Sequence, residues 1–376
     1  MAHWDWQAPT TVLTGIGARR RAAQALAGQS KRVLVVSGTD ACRAGLVQRW
    51  CSSLVDAGIR TVPFPLDRFG LPEVLRLTEA ARFAEADTLL AIGDDRVIDV
   101  VKAAAFAATN PGFRGHHRPL RTVAVPTTVG AASEVSPVTV LADGPHLMVL
   151  DKPVLRPAFA VLDPESTATA STRSVLYGAV EALARLLVPA MSEPAGSRMA
   201  DEITVALARC VLADADTVAT LLPEAVRVPA IHRLAVTSAA TVTNWASYGR
   251  RDEQHRLWRL ATPIAAVLEI PSAAVLSTLL ADWVSTKDNP IGPWPGRVAE
   301  VLGMLSGGSA VLDPGEWVRQ RLAAWTLPDR LSYLTEGDPG ARDLADLVWA
   351  DAAPGFPGAC REDLAAFFET TVTPGS

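Results

Sequence analysis

"AIGDDRVIDVVKAAA", residues 91–105, reads as the end of a buried strand, a tight turn at Gly93 and the opening of a helix. Such a junction leaves helical N–H groups without intrahelical partners and carries about half a positive charge, so it is the ordinary seat of a phosphate. Here the turn supplies anions of its own, Asp94 and Asp95, followed by Arg96. A carboxylate about 4 Å from a phosphate charge costs on the order of 4 kcal/mol at an effective dielectric of 20, roughly a thousandfold in affinity. Carboxylates in a first turn also satisfy the helix end themselves. The expectation is an anion slot filled from within, with Arg96 recovering part of the cost.

Outward from this junction the same alternation repeats. "KRVLVVSG" (31–38) is a strand followed by a helix over 44–58; "RTVPFPL" (60–66) is a strand with a helix over 71–86. "DTLLAIG" (87–93) leads into the helix at 97–108, and "RTVAVPTT" (121–128) is a further strand. Strands alternating with helices of this length indicate a doubly wound parallel sheet, Rossmann-like, covered on both faces and binding ligands at the carboxyl ends of its strands. Past the Ser/Thr-rich stretch near residue 170 the pattern becomes almost purely helical, over 174–190, 195–222, 230–247, 254–268, 272–286, 315–325 and 341–353. The reading is therefore an α/β domain over 1–165 and an all-α domain over 166–376.

Composition narrows the function classes. With 49% apolar and 20% charged residues, the chain is globular in type. A net charge of −5 provides no basic field for nucleic acid. The four cysteines lie far apart without CxxC spacing, which fits a reducing compartment and argues against a zinc ribbon. "MAHWDWQAPTT" has no basic n-region or apolar h-region, and the apolar tract 260–281 is broken by Pro263, Glu269 and Pro271. A cytoplasmic protein without a membrane span is expected.

"AVPTTVGAASEVSPVTVL" (124–141) resembles the iron-containing (group III) alcohol dehydrogenase family, which carries a PTTxGTGSE motif after a strand. "TGIGA" (14–18), "PVLRPAFAVLDPES" (153–166) and "IPSAAVLSTLLADWV" (270–284) extend the likeness, and "GDDRVID" (93–99) lies where the family has GGGSxxD. The resemblance implies a dehydroquinate synthase/iron alcohol dehydrogenase-like fold with an active site between its two domains. It also implies cofactor contacts at Gly93, Asp94, Asp95, Arg96, Asp99, Thr127, Thr128 and Ser133. The intact positions Asp99, Lys102, Thr127, Thr128 and Ser133 keep NAD(P) in play, against the two aspartates of the turn.

The family's metal is held by an Asp and a His four apart on one helix and by two later histidines. The matching positions here are Glu181, Arg185, His255 and Ser272, and a further family histidine matches Arg259. Positions i and i+4 share a helix face, so Glu181 and Arg185 converge. Arginine has no lone pair to give a metal and stays protonated, which argues against iron or zinc. A guanidinium at Arg185 or Arg259, with Glu181 and His255, could instead occupy the cation's place and hold a carbonyl or carboxylate.

Two readings follow. Loss of the ligands together with alteration of the phosphate turn points to a metal-free accessory or scaffold subunit beside a partner enzyme in natural-product biosynthesis. A resemblance to the dehydrogenase-like subunits of daptide-type ribosomal peptide pathways is consistent with that. The alternative is an active NAD(P)-dependent alcohol or aldehyde oxidoreductase with arginine in place of the metal. A protein partner or a second copy of the chain is expected, with Trp4, Trp6 and Trp294 as candidate anchors.

Overall fold

The computed structural model describes residues 9–109, 119–143, 146–193, 197–220, 222–250, 256–334, 340–353 and 356–372. The chain forms two compact units, one of residues 7–171 and 223–242, the other of the remaining segments.

The first unit is built on β1 (Thr11–Thr14), α1 (Ala18–Ala27), β2 (Arg32–Gly38), α2 (Thr39–Arg43), α3 (Leu46–Asp56), β3 (Arg60–Leu66), α4 (Leu71–Phe83), β4 (Thr88–Gly93), α5 (Asp95–Thr109) and β5 (Arg121–Pro126). A hairpin of β6 (Val138–Asp143) and β7 (His146–Asp151) follows, then β8 (Phe159–Leu162) and the single turn α6 (Pro164–Thr167). Six strands pair in parallel in the order β1-β8-β5-β4-β2-β3. Successive residues of a strand point to opposite faces, and this divides the core in two. Val33 and Val35 of β2 and Leu90 and Ile92 of β4 pack with α1 and α3. Leu34, Val36, Leu89 and Ala91 pack with α4 and α5. Strands buried on both faces read as unbroken apolar runs, which is why β2 and β4 are legible in the sequence.

From β2 the chain moves outward to edge strand β3, then returns to β4 on the other side of β2. The gap between β2 and β4 is thus the topological switch point, where ligands of such sheets bind. Helix α5 begins there, and Val97 in its first turn is wedged against both strand ends. A Cβ on Gly93 would lie 2.6 Å from a methyl of Val97, and one on Gly38 would lie 3.2 Å from it. Glycine at both positions is what lets the helix approach so closely.

One helix of the second half belongs to this unit. The sequence reading places everything after 165 in a helical domain; α9 (Glu224–Thr241) instead packs on the sheet unit. Ala239 and Val242 join Ala132, Val135, Ala160 and Leu162 in one apolar cluster, and the Ser238 hydroxyl donates to the Gly130 carbonyl at 2.9 Å. A helical period states that a face is apolar; it does not state which partner covers it.

The second unit is helical, comprising α7 (Thr172–Met191), α8 (Arg198–Ala219), α10 (Trp258–Leu268), α11 (Ser272–Ser285), α12 (Pro295–Leu305), α13 (Pro314–Ala324), α14 (Ala341–Ala352) and α15 (Arg361–Val372). Among the described residues α7 is the one helix long and apolar enough to cross a membrane, and 94% of its apolar window is buried inside the protein. It packs against α8, α11 and α12. Trp294, just before α12, is half exposed; Trp4 and Trp6 lie outside the described residues.

Candidate functional site

At the switch point Asp94 closes the end of α5. Its Oδ1 accepts the Val97 backbone N–H at 3.2 Å, an N-cap bond, and its Oδ2 accepts from Arg96 Nε at 2.9 Å and Nη2 at 2.6 Å. Arg96 also lies over the ring of Phe69, 4.5 Å from its centroid. Burial alone lowers the Arg96 pKa, but the pairing with Asp94 and the charges of Asp95 and Asp40 outweigh it, so the net shift is upward. The turn's first carboxylate is therefore charge-matched, and the helix end is satisfied from within as the sequence suggests. Beside it a small open hollow is lined by residues that include Asp95, Thr128, Gly130 and Glu134. The Thr127 N–H donates to the Gly93 carbonyl at 2.9 Å, which holds the segment after β5 against the turn.

One turn further along α5 stands a second acid–base pair of different character. Lys102 is fully buried, and its Nζ donates to Asp99 Oδ1 at 3.1 Å, to Ser133 Oγ at 3.1 Å, to the Ser133 carbonyl at 3.2 Å and to the Val138 carbonyl. Asp99 also accepts from the Ser133 hydroxyl and, at 2.8 Å, from the Val140 N–H. Asp99 and Ser133, expected near a cofactor, are joined in this internal lock between α5, the loop after β5 and β6.

In the helical unit, Glu181 and Arg185 are both buried on α7. Trp258, the first residue of α10, donates its indole N–H to Glu181 Oε1 at 3.4 Å, and its ring faces the Arg185 guanidinium at 5.9 Å. Burial pushes the Glu181 carboxyl above its usual range, against the opposing pull of Arg185 and of the Trp258 bond. Trp258 has no signal in the sequence beyond being an aromatic beside Arg259. Arg259 is exposed in the first turn of α10, and Ser272 opens α11. His255 lies outside the described residues.

The two implied groups fare differently against these residues. Of the matching positions on α7 only Glu181 can donate to a metal; Arg185 places a permanent cation one turn away. Among the described residues no three His, Cys, Asp or Glu side chains come together to hold an ion. The described part of this donor set thus offers a first-row metal a single carboxylate, Glu181, and His255 lies outside it. In the sheet unit glycine stands at two strand ends, Gly38 and Gly93, and Arg96 offsets the charge of Asp94.

The family model "Iron-containing alcohol dehydrogenase" matches residues 9–164. The chain is 23% identical over 396 residues to a probable NADH-dependent butanol dehydrogenase of Bacillus subtilis (strain 168), covering 99% of this chain and 100% of that protein. Its fold is similar to that of NADH-dependent butanol dehydrogenase A from Thermotoga maritima, with TM-score 0.86, 18% identity and 99% of each chain covered. It is also similar to sulfoacetaldehyde reductase from Bifidobacterium kashiwanohense in complex with NAD+, with TM-score 0.80, 18% identity and 100% of each chain covered.

Proposed function

We propose that this chain is a member of the iron-containing alcohol dehydrogenase family, whose model matches residues 9–164, and that it is an NAD(P)-dependent oxidoreductase interconverting an alcohol and an aldehyde, with Arg185 in the place of the metal. The observation that carries the reading is a buried guanidinium one helical turn from a buried carboxyl, faced by Trp258, at the two positions that the sequence resemblance aligns with metal ligands. The relatives described above carry the names of dehydrogenases and a reductase, which favours this catalytic reading over an accessory subunit in peptide biosynthesis.

When bound, the reduced nicotinamide supplies the hydride that reaches the carbonyl carbon. Arg185 then does what a Lewis acid does elsewhere: its N–H groups hold the carbonyl oxygen and stabilise the negative charge that grows on it. Being always charged and held by packing, it needs no reorganisation during the reaction. Glu181, whose carboxyl keeps its proton to higher pH than usual, delivers that proton to the oxygen and recovers one in the reverse direction.

The test is turnover of a panel of short aldehydes with NADH and NADPH on metal-analysed protein, with and without chelator. Activity that survives chelation and is lost in Arg185→Gln supports the reading. Stoichiometric iron or zinc in active protein, removed together with activity by the chelator, overturns it.

A further inference from the structure

Resting on the NAD(P)-dependent reading, we propose that Asp94 is an internal competitor for the diphosphate of the nicotinamide cofactor and that Arg96 is the counter-charge the two exchange. The Asp94 carboxylate takes up the anion-binding groups at the start of α5, dividing its oxygens between a helical N–H and a guanidinium: Oδ1 accepts from Val97 N at 3.2 Å, Oδ2 from Arg96 Nε and Nη2 at 2.9 and 2.6 Å. The helix cannot retreat to make room for both anions, because Val97 is lodged against the ends of β2 and β4 within van der Waals contact of Gly38 and Gly93. A diphosphate reaching this turn therefore meets Asp94 at the amides it needs.

Arg96 makes the exchange possible. Its side chain is 63% exposed and rests on the face of Phe69, so the guanidinium can turn from the carboxylate to an incoming phosphate without leaving its aromatic support. An ion pair exposed to this degree is easily opened. Once opened, the carboxylate left behind repels the diphosphate, and the chain holds the cofactor more weakly than an uncharged turn would.

Fluorescence or calorimetric titration of the full chain with NADH and NADPH tests this, alongside thermal unfolding of each variant. Asp94→Asn keeps an oxygen for the Val97 N–H but removes the charge; it is expected to tighten cofactor binding about ten- to a hundredfold with little change in Tm. Asp94→Gly is expected to tighten binding with a lower Tm, and Arg96→Gln to weaken it. If the wild-type chain binds cofactor and Asp94→Asn binds no tighter, the competitor role is overturned while the NAD(P) reading stands. If Asp94→Asn binds and the wild type does not at millimolar cofactor, the competitor role stands and NAD(P) use by the natural chain falls. If no variant binds, both fall. An Arg96→Gln chain with unchanged affinity overturns the exchange.

Discussion

Helices α5 and α7 each carry an acid and a base about one turn apart, and they treat them in opposite ways. On α5, Asp99 and Lys102 are wrapped in partners: Ser133, the Val138 carbonyl and the Val140 N–H complete their hydrogen bonding. On α7, Glu181 is buried with a long bond from Trp258, and its carboxyl is pushed toward the neutral form. A buried pair whose partners are complete holds structure together; a buried carboxyl whose charge is poorly supported is the kind that chemistry uses. The contrast separates a structural lock from a candidate catalytic group without reference to any relative.

The largest test of the comparison is Lys102→Met, which leaves Asp99 buried without its cation and is expected to cost about 3–5 kcal/mol in chemical denaturation. A loss below about 1 kcal/mol would show that the lock is not one. Arg185→Gln should act on the other side of the divide: kcat falls by about 10²–10³, while the unfolding midpoint moves far less than for Lys102→Met. If both variants lose stability alike, α7 carries a second lock.

A third pair sharpens the scale. Asp282 on α11 accepts from Arg319 Nη2 on α13 at 2.5 Å, yet burial outweighs this bond and the charges of Arg319 and Arg330, raising its pKa from 3.8 to about 6. The folded state therefore holds this proton more tightly than the unfolded chain, so its contribution to stability is complete below pH ~4 and declines as pH rises through about 6. The expected fall is at most about 3 kcal/mol, read from denaturant midpoints across that range, and Asp282→Asn should flatten the profile. The smallest effect belongs to the exposed pair: Asp94→Ala removes an N-cap and should cost about 1 kcal/mol, seen as a modest drop in Tm.

The strands of the sheet were the most legible part of the chain. β2, β3, β4 and β5 stand within two residues of the runs read at 31–38, 60–66, 87–93 and 121–128. Less legible was the β6–β7 hairpin, although Asp143-Gly144 between two apolar runs is a hairpin signal. That segment matters, because the Val140 N–H it supplies to Asp99 closes the lock. At the candidate site, the chemical types of Asp94, Arg96, Glu181 and Arg185 were readable, and so was the capping of α5 by its own acid. Trp258 was not, since its role depends on α10 meeting α7, with Glu181 77 residues away in sequence.

What the chain alone determined is the set of properties fixed by covalent chemistry: a guanidinium without a lone pair at Arg185, a carboxylate at Asp94 in the turn after a strand, and apolar runs and periods of three to four that lay down strands and helices. What only the tertiary structure decided is which charges are satisfied. Asp99 with Lys102 and Glu181 with Arg185 look alike as letters, and only packing from distant segments, Ser133 and Val140 in one case and Trp258 in the other, closes the first as a lock and leaves the Glu181 carboxyl raised by burial. Desolvation and partner supply depend on what the rest of the chain brings to a side chain, and no local spacing records that.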